Sequence, residues 1–176
     1  MTHPTERFAL PARLLHWLMA VLILAMLFVG VGMVSTASQR YPELLSWHRP
    51  IGITILALAL IRLAFRLTHA APPLPSDLPV LQAAVAKASH YILYGLMIAM
   101  PLIGWGMLSA GGFPIVLWKG VQLFPILPHD VLLYGWLRYA HGLLGYAFFL
   151  LILGHLCAAL FHGLIRRDGV FQSMAG

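Results

Sequence analysis

The chain has 176 residues, of which 61% are hydrophobic and 9% charged, with a formal net charge of +6. Soluble domains are roughly 45–50% apolar and about 25% charged, so this chain has too few polar groups to clothe a water-facing surface. That excludes a soluble globular enzyme and a disordered chain; the absence of a basic stripe excludes a nucleic-acid binder, and a lone cysteine, Cys157, excludes a disulfide framework.

An integral membrane protein remains. Four stretches approach the roughly 20 apolar residues that a helix needs to cross a bilayer, and none alternates as a barrel strand would. The fold class expected is all-α: one four-helix membrane domain over residues 1–176, without an internal repeat. The first span runs from about Pro11 to Val34. It is too long for the apolar region of a signal peptide, and Thr36-Ala37-Ser38 after it is a weak cleavage motif, so it is expected to stay. Residues 35–47 read as a short loop. The second span, from about His48 to Leu67, has Pro50 near its first turn, where a missing N–H costs little. Residues 68–86 form a stiff connection rich in proline (Pro72, Pro73, Pro75, Pro79). The third span, about Lys87 to Leu108, contains Pro101 and Gly104, which predict a kink. Residues 109–136 hold Gly111-Gly112, three prolines and the aromatics Phe113, Trp118, Phe124, Tyr134 and Trp136; they suit the membrane interface as a short surface helix. The fourth span runs from about Leu137 to Ile165.

Basic residues set the direction. Arg7, Arg13, Arg62, Arg66, Lys87, Arg166 and Arg167 fall on one side, against Arg40, Arg49, Lys119 and Arg138 on the other. The richer side is expected to be cytoplasmic, with both termini there.

Nine histidines are the feature to explain, because an ionisable group inside a span is costly. His141 and His155 lie fourteen residues apart on the fourth span, so they share a face in a left-handed bundle and stand about 21 Å apart along it. His16 on the first span shares the depth of His155, and His48 on the second shares the depth of His141. Two stacked pairs of imidazoles are what two bis-histidine haems require, and such ligation favours electron transfer over oxygen binding. Gly52 and Gly145, each four residues after a ligand, would leave room for a flat macrocycle. No C-x-x-C-H occurs, so the haems would be non-covalent, of b type. Intramembrane acids for a di-metal carboxylate centre are lacking, and the histidines do not cluster at one depth as a zinc site would.

Taken in order, Leu15-His16-Trp17, Trp47-His48-Arg49-Pro50-Ile51-Gly52, Ile61-Arg62-Leu63 with Arg66, His90-Tyr91-Ile92-Leu93-Tyr94, Pro101-Leu102-Ile103-Gly104 and His141-Gly142-Leu143-Leu144-Gly145-Tyr146 with His155 and His162 resemble the bacterial cytochrome b561 family over nearly the whole chain. The resemblance implies two haem b groups held by His16, His48, His141 and His155, a place in the bacterial inner membrane, and electron traffic with ubiquinone. Some members are similar to superoxide oxidases, which oxidise superoxide outside and reduce ubiquinone. On that footing Arg49 and Arg138, beside the outer pair, are expected to draw a small anion such as superoxide or to pair with haem propionates. Arg62, His90 and His162, near the inner pair, are expected to serve a quinone headgroup. Arg66 reads as a snorkelling arginine, and His3, His69 and His129 as bystanders. The expected function is thus a superoxide:ubiquinone oxidoreductase in contact with membrane lipid. The other reading is a non-catalytic electron-transfer subunit that passes electrons from quinol to a periplasmic protein partner.

Overall fold

The computed structural model describes residues 7–35, 40–118 and 120–176. His3, Thr36-Ala37-Ser38 and Lys119, which entered the sequence reading, lie outside the described residues. Four long helices follow one another: α1 (Leu10–Ser35), α2 (Arg40–Thr68), α3 (Val80–Ala110) and α4 (Val131–Leu160). A two-stranded antiparallel hairpin, β1 (Ile115–Val116) and β2 (Gln122–Leu123), lies between α3 and α4. A six-residue π-helical turn (Phe161–Arg166) extends α4, and a short α5 (Val170–Ala175) ends the chain. All four long helices are long and apolar enough to cross a membrane.

The helices overrun the stretches that hydropathy picked out. α2 begins at Arg40, so residues 40–47 are helix and not loop, and Pro50 is inside the helix and not in its first turn. Pro42 occupies the true first turn, where proline is tolerated. Thr54 Oγ1 donates to the Pro50 carbonyl at 2.9 Å. α3 starts seven residues before Lys87 and runs on through Pro101. α4 starts at Val131 and is capped by Asp130, whose carboxylate accepts the N–H groups of Leu132 (2.9 Å) and Leu133 (3.0 Å), satisfying orphan donors. The surface helix expected within residues 109–136 is instead this hairpin followed by the first turn and a half of α4.

The closest helix pairs are α1 with α2 and α3 with α4, with α2 against α3 joining the two halves. The core is a thin layer of Met19, Ile23, Ile55, Ala59, Met97 and Phe148, drawn from all four helices. Phe148 lies seven residues from both His141 and His155, so this layer sits between the two histidine levels. Elsewhere the helices turn leucine, valine and phenylalanine outward, Phe28 being 72% exposed, as lipid-facing surfaces do.

Both ends are tied. At the end that holds the termini, Arg62 Nη1 donates to the Ala12 carbonyl (2.7 Å), Trp17 Nε1 to the Met174 carbonyl (3.1 Å) and the Phe8 N–H to the Ser173 carbonyl (3.0 Å). At the opposite end the hairpin is pinned to α3. Trp105 Nε1 donates to the Phe124 carbonyl (2.9 Å), the Ile126 N–H to Ser109 Oγ (3.1 Å) and the Asp130 N–H to the Ala110 carbonyl (2.9 Å).

Candidate functional site

The four intramembrane histidines meet in the pairs that depth alone suggested. His16 on α1 and His155 on α4 have ring centroids 6.2 Å apart and planes at 71°. His48 on α2 and His141 on α4 have centroids 6.0 Å apart and planes at 68°. An atom bonded to both imidazoles at about 2 Å, with each ring centre roughly 1 Å beyond its nitrogen, calls for centroids about 6 Å apart. Both pairs meet that requirement. Neither pair is joined by a third ligating side chain: among the described residues no group of three His, Cys, Asp or Glu could hold a metal ion. Two imidazoles facing each other suit a metal that brings its other ligands with it, as the iron of a porphyrin does.

The surroundings fit such a group. Among the described residues, the buried side-chain nitrogens without a hydrogen-bond partner are His48 Nδ1, His141 Nδ1, Arg13 Nε and Arg49 Nε. Buried polar atoms are rarely left so, and here two belong to one histidine pair and two to arginines close in sequence to His16 and His48. Glycines border the rings. A Cβ on Gly104 would stand 3.3 Å from His141 Cε1, and one on Gly30 would stand 3.9 Å from His48 Cε1. Gly52 and Gly145 face the Cε methyls of Met26 and Met100, each at 3.7 Å from where a Cβ would be, so their open sides are lined by flexible methionine ends.

Other expected site residues divide between the two levels. His90 lies against His155, ring centroids 5.4 Å apart, and its Nδ1 donates to the Ala86 carbonyl at 2.6 Å. Arg62 is fixed on α1 through Ala12. His162 does not simply continue the face of His155. It lies in the π-helical turn, and its Nδ1 meets Asp168 Oδ2 at 2.6 Å. Arg49 follows His48 directly and is half-buried. Arg138 is exposed and donates to the Tyr134 hydroxyl at 2.9 Å. Arg66 donates to the His69 carbonyl, and His69 stacks on Phe65 with ring centroids 3.9 Å apart.

Arg13, Gly30, Gly104 as a ring-packing residue, and Asp168 were missed in the sequence. Arg13 precedes His16 by three, one helical turn, a signal that could have been used. Asp168 gave none beyond being an acid six residues after a histidine.

The sequence model of a family described as prokaryotic cytochrome b561 matches residues 7–176. The chain belongs to this family. Cytochrome b561 homolog 2 of Escherichia coli (strain K12) is 29% identical over 181 residues, covering 99% of this chain and 94% of the relative. The probable superoxide oxidase CybB of Yersinia pestis is 29% identical over 166 residues, covering 91% of this chain and 90% of the relative. Cytochrome b561 homolog 1 of Escherichia coli (strain K12) is 25% identical over 174 residues, covering 96% and 97%. As a prokaryotic cytochrome b561, the chain is a multi-pass bacterial membrane protein of electron transfer, in an oxidoreductase-type family that implies b-type haem. The four-helix bundle is the architecture that goes with it.

Proposed function

We propose that His16 with His155, and His48 with His141, each hold one non-covalent haem b, and that the chain moves electrons from a small periplasmic donor, superoxide foremost, to ubiquinone. The observation that carries this is the repeated 6 Å separation of facing imidazoles at two levels of one bundle. Haem b held by these histidines would supply a one-electron iron couple, and with two imidazoles on the iron it would suit transfer and not oxygen binding. The net reaction converts two superoxide anions and one quinone, with two protons, into two dioxygen molecules and one quinol. The chain lies with both termini in the cytoplasm and the hairpin in the periplasm, in keeping with its bias of basic residues.

The protein's own contribution is placement and charge. His16, His48, His141 and His155 would hold the two haems. Arg13 and Arg49, with buried unpaired Nε atoms, offer charge-assisted donors to carboxylates such as haem propionates. Arg49 and Arg138 keep positive charge near the periplasmic pair, which raises the encounter rate of a small anion. At the cytoplasmic pair Arg62, His90 and His162 supply the donors that quinone carbonyls accept. The name of the Yersinia pestis relative, probable superoxide oxidase CybB, supports superoxide as donor.

The test is anaerobic mixing of superoxide with the purified, oxidised protein. Two b-type haems per chain and reduction within the mixing time are expected. Intact haem spectra without reduction would overturn the donor assignment and point to a transfer subunit that serves a periplasmic protein partner.

A further inference from the structure

Past His155 the helix does not simply stop. Its hydrogen-bond pattern widens to a π-helical turn over Phe161–Arg166, and such turns occur often at functional sites. Arg167 (φ 51°) and Gly169 (φ 84°) then take left-handed conformations and fold the chain back. The reversal delivers Asp168 to His162, six residues earlier, with Nδ1 and Oδ2 2.6 Å apart. Asp168 is held in place by two more donors: Arg166 Nε reaches the same oxygen at 3.0 Å, and the Val170 N–H reaches Oδ1 at 3.2 Å. Arg166 also holds Asp77 of the proline-rich connection at 2.6 Å. The Asp168 and His162 side chains are 11% and 17% exposed, whereas Asp77 is 75% exposed.

Each reduction of a quinone to a quinol needs two protons as well as two electrons. Arginine cannot release a proton near neutral pH, so Arg7, Arg13, Arg62, Arg66, Arg166 and Arg167 are not donors. Of the histidines at this end, His16 and His155 are assigned to iron, His90 lies against His155 with its Nδ1 on a carbonyl, and His69 is exposed and tied to Thr68 and Phe65. Among the described residues His162 is the histidine with a carboxylate partner, about 10 Å along the axis from His155 at 1.5 Å per residue. Asp168 on Nδ1 fixes the orientation of the ring, and in an imidazolium so held the Nε2 proton is the one free to give.

We propose that His162 is the proton donor to the quinone, and that Asp168 is the positioning residue that loads and orients it. This rests on the quinone reading given above. Two one-electron transfers, drawn from two superoxide anions that leave as dioxygen, fill the quinone. The His162 Nε2–H bond breaks as one quinol O–H bond forms. The second O–H proton comes from cytoplasmic water, and His162 regains its own proton from the same water.

The test uses the full, haem-loaded chain reduced anaerobically, with haem reoxidation followed after mixing with one of two acceptors. Ubiquinone-1 takes protons with its electrons; ferricyanide takes electrons alone. For Asp168→Asn and for His162→Gln, reoxidation by saturating ubiquinone-1 should slow tenfold or more, in the range that loss of acid–base catalysis gives. The half-saturating quinone concentration should hold within about twofold. Ferricyanide rates and haem spectra should stay those of the parent, and Asp168→Glu should recover part of the quinone rate. Unchanged ubiquinone-1 rates in both variants, or equal slowing with both acceptors, overturn the proposal. A parent protein that ferricyanide reoxidises and ubiquinone-1 does not would instead overturn the quinone reading beneath it. If Asp168→Asn loses haem, His162→Gln and Asp168→Glu carry the test.

Discussion

The two histidine pairs match in spacing and differ in company. At the hairpin end, His48 and His141 have buried nitrogens without partners, a glycine against the ring, and a lid of backbone and tryptophan hydrogen bonds overhead. Its charged neighbours are the arginines Arg49 and Arg138. At the end with the termini, His155 has a third imidazole, His90, at 5.4 Å, and below it Asp168, Arg166, Asp77 and His162 form a bonded chain. Like pairs in unlike settings would let one scaffold divide labour. A site flanked by Arg49 and Arg138 suits an exchange of electrons with an anion. A site backed by imidazoles and carboxylates suits an exchange that also moves protons.

The largest test of that contrast removes one site at a time. His48→Ala or His141→Ala should halve haem per chain and leave the spectrum of the other pair; His16→Ala or His155→Ala should do the converse. Pyridine haemochrome content and low-temperature spectra read both. If either substitution removes both haems, the sites are one cooperative unit and the contrast between them loses its meaning.

Charge at the hairpin end comes next. Arg49→Gln with Arg138→Gln should slow reduction by superoxide several-fold and flatten its dependence on ionic strength, since steering is screened by salt. Oxidation of the reduced protein by ubiquinone-1 should not change. A rate and salt slope equal to the parent's would remove steering from the account.

A smaller effect is expected from Gly104→Ala. The new Cβ would press on His141 at 3.3 Å, so the ring must shift by a few tenths of an ångström, at a cost of about 1–3 kcal/mol if the site is tightly packed. The absorption band and midpoint potential of the His48–His141 haem should move while the other stays. The smallest effect belongs to Asp77→Asn. Its exposed pair with Arg166 is worth about 0–1 kcal/mol, so a thermal melt should shift little while ubiquinone-1 reoxidation holds.

Much of this was legible in the sequence. Apolar length gives the four helices because lipid offers the backbone no other partner. The fourteen-residue spacing of His141 and His155, with His16 and His48 at matching depths, gives the pairing because helical rise converts number into height. The true start of α2 was hidden because Tyr41, Glu43 and Ser46 dilute the apolar signal across a segment that is helical by its backbone. The hairpin was hidden because its strands are two residues each, too short for alternation to show, though Gly112 (φ 69°) and Gly120 (φ 78°) mark its turns. The π-helical turn was illegible, because Phe161 to Arg166 reads the same at either pitch. Asp168 itself looked like a residue of a solvated tail.

The close helix pairs carry a consequence for how the molecule is put together. α1 with α2 brings His16 and His48; α3 with α4 brings His141 and His155. Each half therefore owns one side of both pairs and the whole of neither. On the assignment proposed here, each macrocycle would act as a rivet through both halves. A cell short of iron would then leave the two halves held by the thin core layer, the α2–α3 seam and the ties at the termini alone, so pigment supply would bear on how much of this cytochrome survives.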